Sequence, residues 1–242
     1  MEILRTMDNS MQGISGYIFD YGGTLDTGGH HWGKVLWHVY ERLAVPVSEA
    51  CFREAYVYGE RTLARQPIIR PDFTFRQTLE AKVGLQFDYL RQHASAGEAL
   101  SSALADRLVG ETYAQTQAHT AHSREVLLRL KAQRPMVLVS NFYGNVGVVL
   151  REFGLDGIFQ TIVESAVVGV RKPDPRIFTL GVEALGMPPG EVMVVGDSID
   201  KDIVPARQAG CRTVWYEGEQ WTDAPVDRSV PDMIITDLAE LL

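Results

Sequence analysis

Six short runs rich in β-branched and other apolar residues recur along this chain: ISGYIFD at 14–20, MVLVS at 136–140, TIVE at 161–164, VMVV at 192–195, TVWY at 213–216 and MIIT at 233–236. Runs of this length and composition have the look of strands buried on both faces of a parallel sheet. Helical stretches separate the later ones. Ser123 is placed to cap a helix carrying Val126, Leu127 and Leu130, and Asp174 followed by Pro175 reads as an N-cap and first-turn proline for a helix through Ile177, Leu180 and Ala184. Strand and helix in alternation predict an α/β fold, a Rossmann-like, doubly wound parallel sheet.

Between residues 28 and 120 the alternation stops and apolar residues recur three and four apart: Trp32, Leu36, Val39 and Leu43; Phe52 and Tyr56; Phe75, Leu79 and Val83; Leu100, Leu104 and Leu108. The expected organisation is an α/β core of residues 1–27 plus 121–242, interrupted by an all-helical insert at 28–120. Pro67 and Pro71 break the insert near its middle, and Gly84 and Gly97 are expected to bracket a further turn, giving four or five helices. Trp32, Trp37, Tyr40, Tyr56 and Tyr58 are expected to form the insert's own core. Glu217 to Pro231, polar with two prolines, reads as a surface loop.

Composition narrows the function classes. The 242 residues are 45% hydrophobic, enough for a sizeable core, and the formal net charge of −8 repels phosphate backbones and anionic lipid. Neither nucleic acid nor a membrane is therefore an expected partner. Cys51 and Cys211 are too few for a disulfide framework or a cysteine zinc site, which suits a reducing cytoplasm. Residues 1–13 lack a continuous apolar stretch, and no later run reaches the ~18 apolar residues of a membrane span. No motif speaks to oligomeric state.

In an open parallel sheet ligands bind outside the carboxyl ends of the strands, which directs attention to polar residues that follow an apolar run. These are Asp20-Tyr21-Gly22-Gly23-Thr24-Leu25, Ser140-Asn141, Arg171-Lys172-Pro173-Asp174-Pro175, and Gly196-Asp197-Ser198 with Asp202 beyond. Two carboxylates, a hydroxyl with nearby amides and one ammonium suit phosphate and a hard divalent cation. Asp20 and Asp197 are the candidate oxygen ligands for Mg²⁺, Ser140 and the Asn141 amide the donors to phosphate, and Lys172 a compact positive charge. Taken singly, each has an ordinary structural use: a turn for Asp20, a strand-end hydroxyl for Ser140, a surface charge for Lys172, a cap for Asp197. Their joint occurrence at successive strand ends is what favours a site.

These four stretches, in this order, resemble the four motifs of the haloacid dehalogenase superfamily of hydrolases, over residues 14–27 and 123–216, and the insert sits where that superfamily places its first-type cap domain. The resemblance implies that Asp20 attacks phosphorus to give an aspartyl-phosphate, that Mg²⁺ is held by Asp20, Asp197 and the backbone carbonyl of Gly22, and that Lys172 steadies the charge with Asp202 behind it. A small phosphorylated metabolite is the implied substrate. A carboxylate cannot approach a phosphate dianion unless a cation and hydrogen-bond donors cancel the repulsion.

One departure bears on rate. Most phosphatases of the superfamily carry a second Asp two residues after the nucleophile as general acid and base, and here that position is Gly22. Loss of such a group costs ~10²–10⁴-fold. Tyr21, pointing to the opposite face, is a poor substitute; His30 or His31 is a possible proton donor. A catalytically weakened member that only binds a phosphorylated ligand or partner is the alternative. Carbon–halogen hydrolysis is disfavoured by the presence of Asp197. Carbon–phosphorus hydrolysis through a Schiff base requires a buried lysine, and neither Lys34 nor Lys82 stands out as buried. His119 and His122, three apart, lack an evident third ligand and read as a solvated face.

Overall fold

The computed structural model describes residues 11–94 and 99–242. Six strands form one parallel sheet: β1 (Gly16–Phe19), β2 (Met136–Ser140), β3 (Thr161–Glu164), β4 (Val192–Gly196), β5 (Arg212–Tyr216) and β6 (Met233–Ile235), in the order β3-β2-β1-β4-β5-β6. All six expected runs are strands. The period of two sorts their side chains between two cores: Tyr17, Phe19, Leu138 and Val195 face one, and Ile18, Val137, Val139 and Val194 the other. Each such side chain, removed from water, contributes roughly 1.5–3 kcal/mol.

The first core packs against the long helix α4 (Ser102–Lys131) through Val126, Leu127 and Leu130. The second is covered by α7 (Arg176–Leu185), whose Ile177, Phe178, Val182 and Leu185 lie on one helical stripe. Between α4 and α7 run the short helices α5 (Val146–Glu152) and α6 (Ser165–Val168), and α8 (Val204–Gln208) precedes β5. Asp174 Oδ1 accepts the Arg176 N–H at 2.9 Å at the start of α7, but the N-cap position itself falls on Pro175, one residue later than expected. Ser123, by contrast, is not a cap. It lies inside α4, where its Oγ donates to the Leu25 carbonyl at 2.8 Å and ties the helix to the segment after β1.

Among the described residues, the segment between β1 and β2 contains α1 (Trp32–Arg42), α2 (Glu49–Arg65), α3 (Phe75–His93) and α4. His31, Ser48, Thr74 and Ser101 cap them in turn, Thr74 through a reciprocal box with Gln77. The turn expected at Gly84 is absent. α3 runs straight through it, because the buried stripe Leu79, Val83, Phe87 and Leu90 outweighs the ~1 kcal/mol a helical glycine costs. Gly97 lies outside the described residues. α4, 30 residues and about 45 Å long, passes without a break through residues 120 and 121, so the insert and the sheet share one rigid element. Trp37 and Tyr40 pack on Phe52, as expected of an internal core, whereas Tyr58 is 43% exposed and lies against Tyr89.

Candidate active site

The strand order reverses beside β1, and there the ends of β1 and β4 open the crevice where this topology binds ligands. Asp20 follows β1 and donates its N–H to the Val195 carbonyl of β4 at 3.0 Å, which fixes its backbone against the strand that leads to Asp197. Two close approaches shape the floor. Gly23, at φ +100°, passes so near Asp197 that a Cβ would lie 2.5 Å from its carboxyl group, and a Cβ on Gly196 would lie 2.4 Å from that of Asp202.

Asp20, Asp197 and Asp202 are buried and bring one carboxylate oxygen each within 4.8 Å of the others. Lys172 sits among them, donating from Nζ to Asp20 Oδ1 at 2.5 Å and to Asp202 Oδ1 at 2.6 Å. The turn Ile199–Ile203 presents Asp202, whose other oxygen accepts the Ser198 N–H at 3.1 Å. Thr24 donates to Asp197 at 3.1 Å. Asn141 clamps the main chain of Lys172 from both sides, its Nδ2 donating to the Lys172 carbonyl at 3.1 Å and its Oδ1 accepting the Lys172 N–H at 2.9 Å. The Asn141 side chain is thus committed to holding Lys172. Ser140 Oγ is buried without a hydrogen-bond partner, a costly state that a ligand oxygen would relieve.

Three carboxylates face one ammonium, and the electrostatics follow. Burial pushes Asp20 up to about 6, held there by Lys172 against the repulsion of Asp202. Asp197 rises further, from burial and from Asp202 and Asp20 together. Burial alone would lower Lys172, but its two carboxylate partners overcome this and raise it. A divalent cation would cancel the excess charge, and hard carboxylate oxygens are the donor set Mg²⁺ takes. The residues present fit it.

Above this floor lies a cavity of about 850 Å³ lined also by Gly22, Asp26, His31, Trp32, Tyr56, Glu60, Lys82, Tyr143 and Trp221. Several of these were not singled out in the sequence. Asp26 is buried, accepts the Gly23 N–H at 2.7 Å and Trp32 Nε1–H at 3.1 Å, and is pushed up to about 7, mainly by burial. Its place after the strand-end DYGGTL was the available signal. Trp32 and Tyr56 face the cavity as well as the insert's packing. Trp221, within the segment expected to be a surface loop, instead reaches in to stack near His31 and Tyr56, with the Arg53 guanidinium 4.2 Å from its ring centroid. A lone tryptophan in a polar loop was the clue.

Lys82 corrects the expectation of an unburied lysine: its side chain is 12% exposed and lines the cavity. It is nonetheless a poor Schiff-base former. Burial would lower it, yet Glu60 at 2.9 Å and Tyr143 keep it protonated and raise it. Lys34, its side chain only 14% exposed, is also less open than expected, but it pairs with Glu49 and Glu219 outside the cavity lining. His31 accepts the Gly33 N–H through Nδ1 as the cap of α1, and burial with nearby Lys201 lowers it to about 4, which keeps it a neutral imidazole at neutral pH, without the imidazolium proton a general acid gives up. Tyr21 is fully buried against Phe142 outside that lining. His122 hydrogen-bonds Asp237 at 2.9 Å, and His119 lies against Gly28.

Residues 14–210 match the family model of haloacid dehalogenase-like hydrolases. The chain belongs to that family. It is 32% identical over 124 residues to the glyceraldehyde 3-phosphate phosphatase of Pyrococcus furiosus, covering 50% of this chain and 51% of that protein. With the phosphoserine phosphatase of Thermus thermophilus it shares 39% over 88 residues, 36% of this chain and 34% of the relative. The matches thus span only a third to a half of these curated relatives. The crystal structure of the putative HAD-hydrolase YfnB from Bacillus subtilis, bound to magnesium, superposes with a TM-score of 0.56 at 18% identity, covering 94% of this chain and 96% of that one, a likeness of fold.

Proposed function

We propose that this hydrolase cleaves phosphate monoesters of a small metabolite through an aspartyl-phosphate on Asp20. The observation that carries the reading is the juxtaposition of Asp20 with Lys172, Asp197 and Asp202 at the switch point of the sheet, with the unpartnered hydroxyl of Ser140 ending the neighbouring strand β2. The names of the phosphatase relatives support it.

A carboxylate oxygen of Asp20 forms a bond to phosphorus as the ester P–O bond breaks, and the leaving oxygen carries off the bonding electron pair. Water then attacks the acyl phosphate, releasing orthophosphate and restoring the Asp20 carboxylate. Lys172 orients Asp20 and offsets part of the charge on phosphate, while Ser140 and the Asn141 backbone N–H donate to its oxygens. Asp20, Asp197 and the Gly22 carbonyl would hold Mg²⁺, which supplies charge neutralisation between nucleophile and substrate. Asp202 keeps the Lys172 ammonium in place.

Residues 28–120 act in this reading as a cap over a core of 1–27 and 121–242, enclosing the phosphate away from water. Among the described residues no helix is long and apolar enough to cross a membrane. Two free cysteines fit the reducing cytoplasm proposed as its location.

With Gly22 in place of a carboxyl group, the reaction depends on the leaving group's own acidity. A panel of phosphate esters assayed with Mg²⁺ and ranked by leaving-group pKa tests this: turnover of aryl phosphates, lost in Asp20→Asn, is expected. Tight binding of phosphate esters with no turnover of any would instead establish the weakened, ligand-binding alternative.

A further inference from the structure

We propose that Arg61 and Arg65 form an anion-binding rim that selects phosphomonoesters whose leaving group carries a second anionic group at its far end. The inference rests on Asp20 receiving the phosphoryl group and adds what the opposite end of the substrate must be.

Arg61 and Arg65 stand one turn apart on α2, on one helical face, both exposed and both lining the cavity. Among the described residues neither side chain makes an ion pair or hydrogen bond, and the same holds for Arg171 and Lys201, which also line it. Arg107, Arg129 and Arg151, the other described cations without such a partner, lie away from the cavity. Many of the remaining cations are matched by acids, as in Arg42 with Glu111, Arg76 with Glu80 and Arg228 with Glu217. On a chain of net charge −8, four of these seven described cations line one cavity.

The carboxylates of the cavity do not neutralise them. Asp20 and Asp202 hold Lys172, Glu60 holds Lys82, Asp26 is spent on Gly23 and Trp32, and Asp197 lies on the floor. Lys82, the cation inside the chamber, is already matched by Glu60 and offers little to an anion. The volume is far more than a phosphoryl group fills. A shallower hollow of about 740 Å³ shares Val57, Arg61, Arg65, Gln66 and Trp221, so the two arginines flank a path that continues outward. Two guanidinium forks at helical spacing match a carboxylate or a second phosphate.

The test compares phenyl phosphate with 4-carboxyphenyl phosphate and 1,4-phenylene bisphosphate as substrates. It pairs these with calorimetric binding of benzylphosphonate and 4-carboxybenzylphosphonate, which are not hydrolysed. At low ionic strength the anionic member of each pair is expected to be favoured about tenfold in kcat/KM and in affinity, and that ratio should collapse toward one in R61Q/R65Q but persist in R107Q. Raising salt from about 0.02 M to about 0.5 M should erase it in the unaltered protein, an outcome that needs no variant to fold. A ratio near one in the unaltered protein, or one preserved in R61Q/R65Q, overturns the proposal. If no ester turns over, the phosphatase reading fails, and the phosphonate pair still decides the rim.

Discussion

The atom nearest to where a side chain at Gly22 would begin is the indole Nε1 of Trp32, 3.9 Å from an ideal Cβ, and the Gly22 backbone is free of positive φ. The position opens into the cavity, so a Cβ can be added there without a clash. Gly22→Asp is expected to raise turnover of alkyl phosphates by about 10²-fold and to flatten the dependence on leaving-group pKa, since the new group can protonate the leaving oxygen and activate water. A variant of unchanged melting temperature with no gain on alkyl esters would sink the proton-donor account.

Among the described residues Lys172 is the only ammonium between Asp20 and Asp202, and all three side chains are nearly inaccessible. Lys172→Met should abolish turnover and cost about 3–5 kcal/mol of stability near pH 7.5, because two buried carboxylates lose their partner. The cost should shrink at pH 5, where Asp20, already raised by burial, takes up a proton instead. Urea melts at the two pH values check this, and an equal loss at both would contradict it.

Removing the cation should stop the reaction. Mg²⁺ at about 100 times its dissociation constant should stabilise the fold by roughly 2.7 kcal/mol by mass action, and Asp197→Asn should lose both this shift and the activity. Full activity in excess chelator would count against the cation site.

His31 gives an acid limb to stability. Its ring accepts a hydrogen bond only when neutral, and its folded value of about 4 lies below the ~6.5 of an unfolded chain, so its contribution is complete above pH ~6.5 and is lost as pH falls through about 4. His31→Asn keeps a capping acceptor and removes the titration. Between pH 7 and 4.5 the unaltered protein should lose about 2 kcal/mol more than the variant in urea denaturation. Parallel curves would show that His31 does not titrate in this way.

The strands, their parallel character and the polar stretches that end β1, β2 and β4 were legible in the sequence, because a buried strand and its first polar residue are set by local composition and by the period of two, whereas the stretch with Lys172 follows the short helix α6 instead of a strand. The same local logic placed Asp20, Lys172, Asp197 and Asp202 near one another, since any strand end in a doubly wound sheet opens on the same edge. Local patterns misjudged Gly84, where burial of neighbouring side chains overrides helix propensity, and Ser123, whose hydroxyl is claimed by Leu25 far away in the chain. Only the tertiary structure set the cavity's upper wall. Lys82 is buried and protonated because α2 brings Glu60 to it, Trp221 enters from a polar loop because His31 and Tyr56 offer it a surface, and Asn141 turns to the main chain of Lys172. These pairings join residues tens to more than a hundred positions apart, and distance in space, which decides charge and desolvation, is not written in the order of the chain.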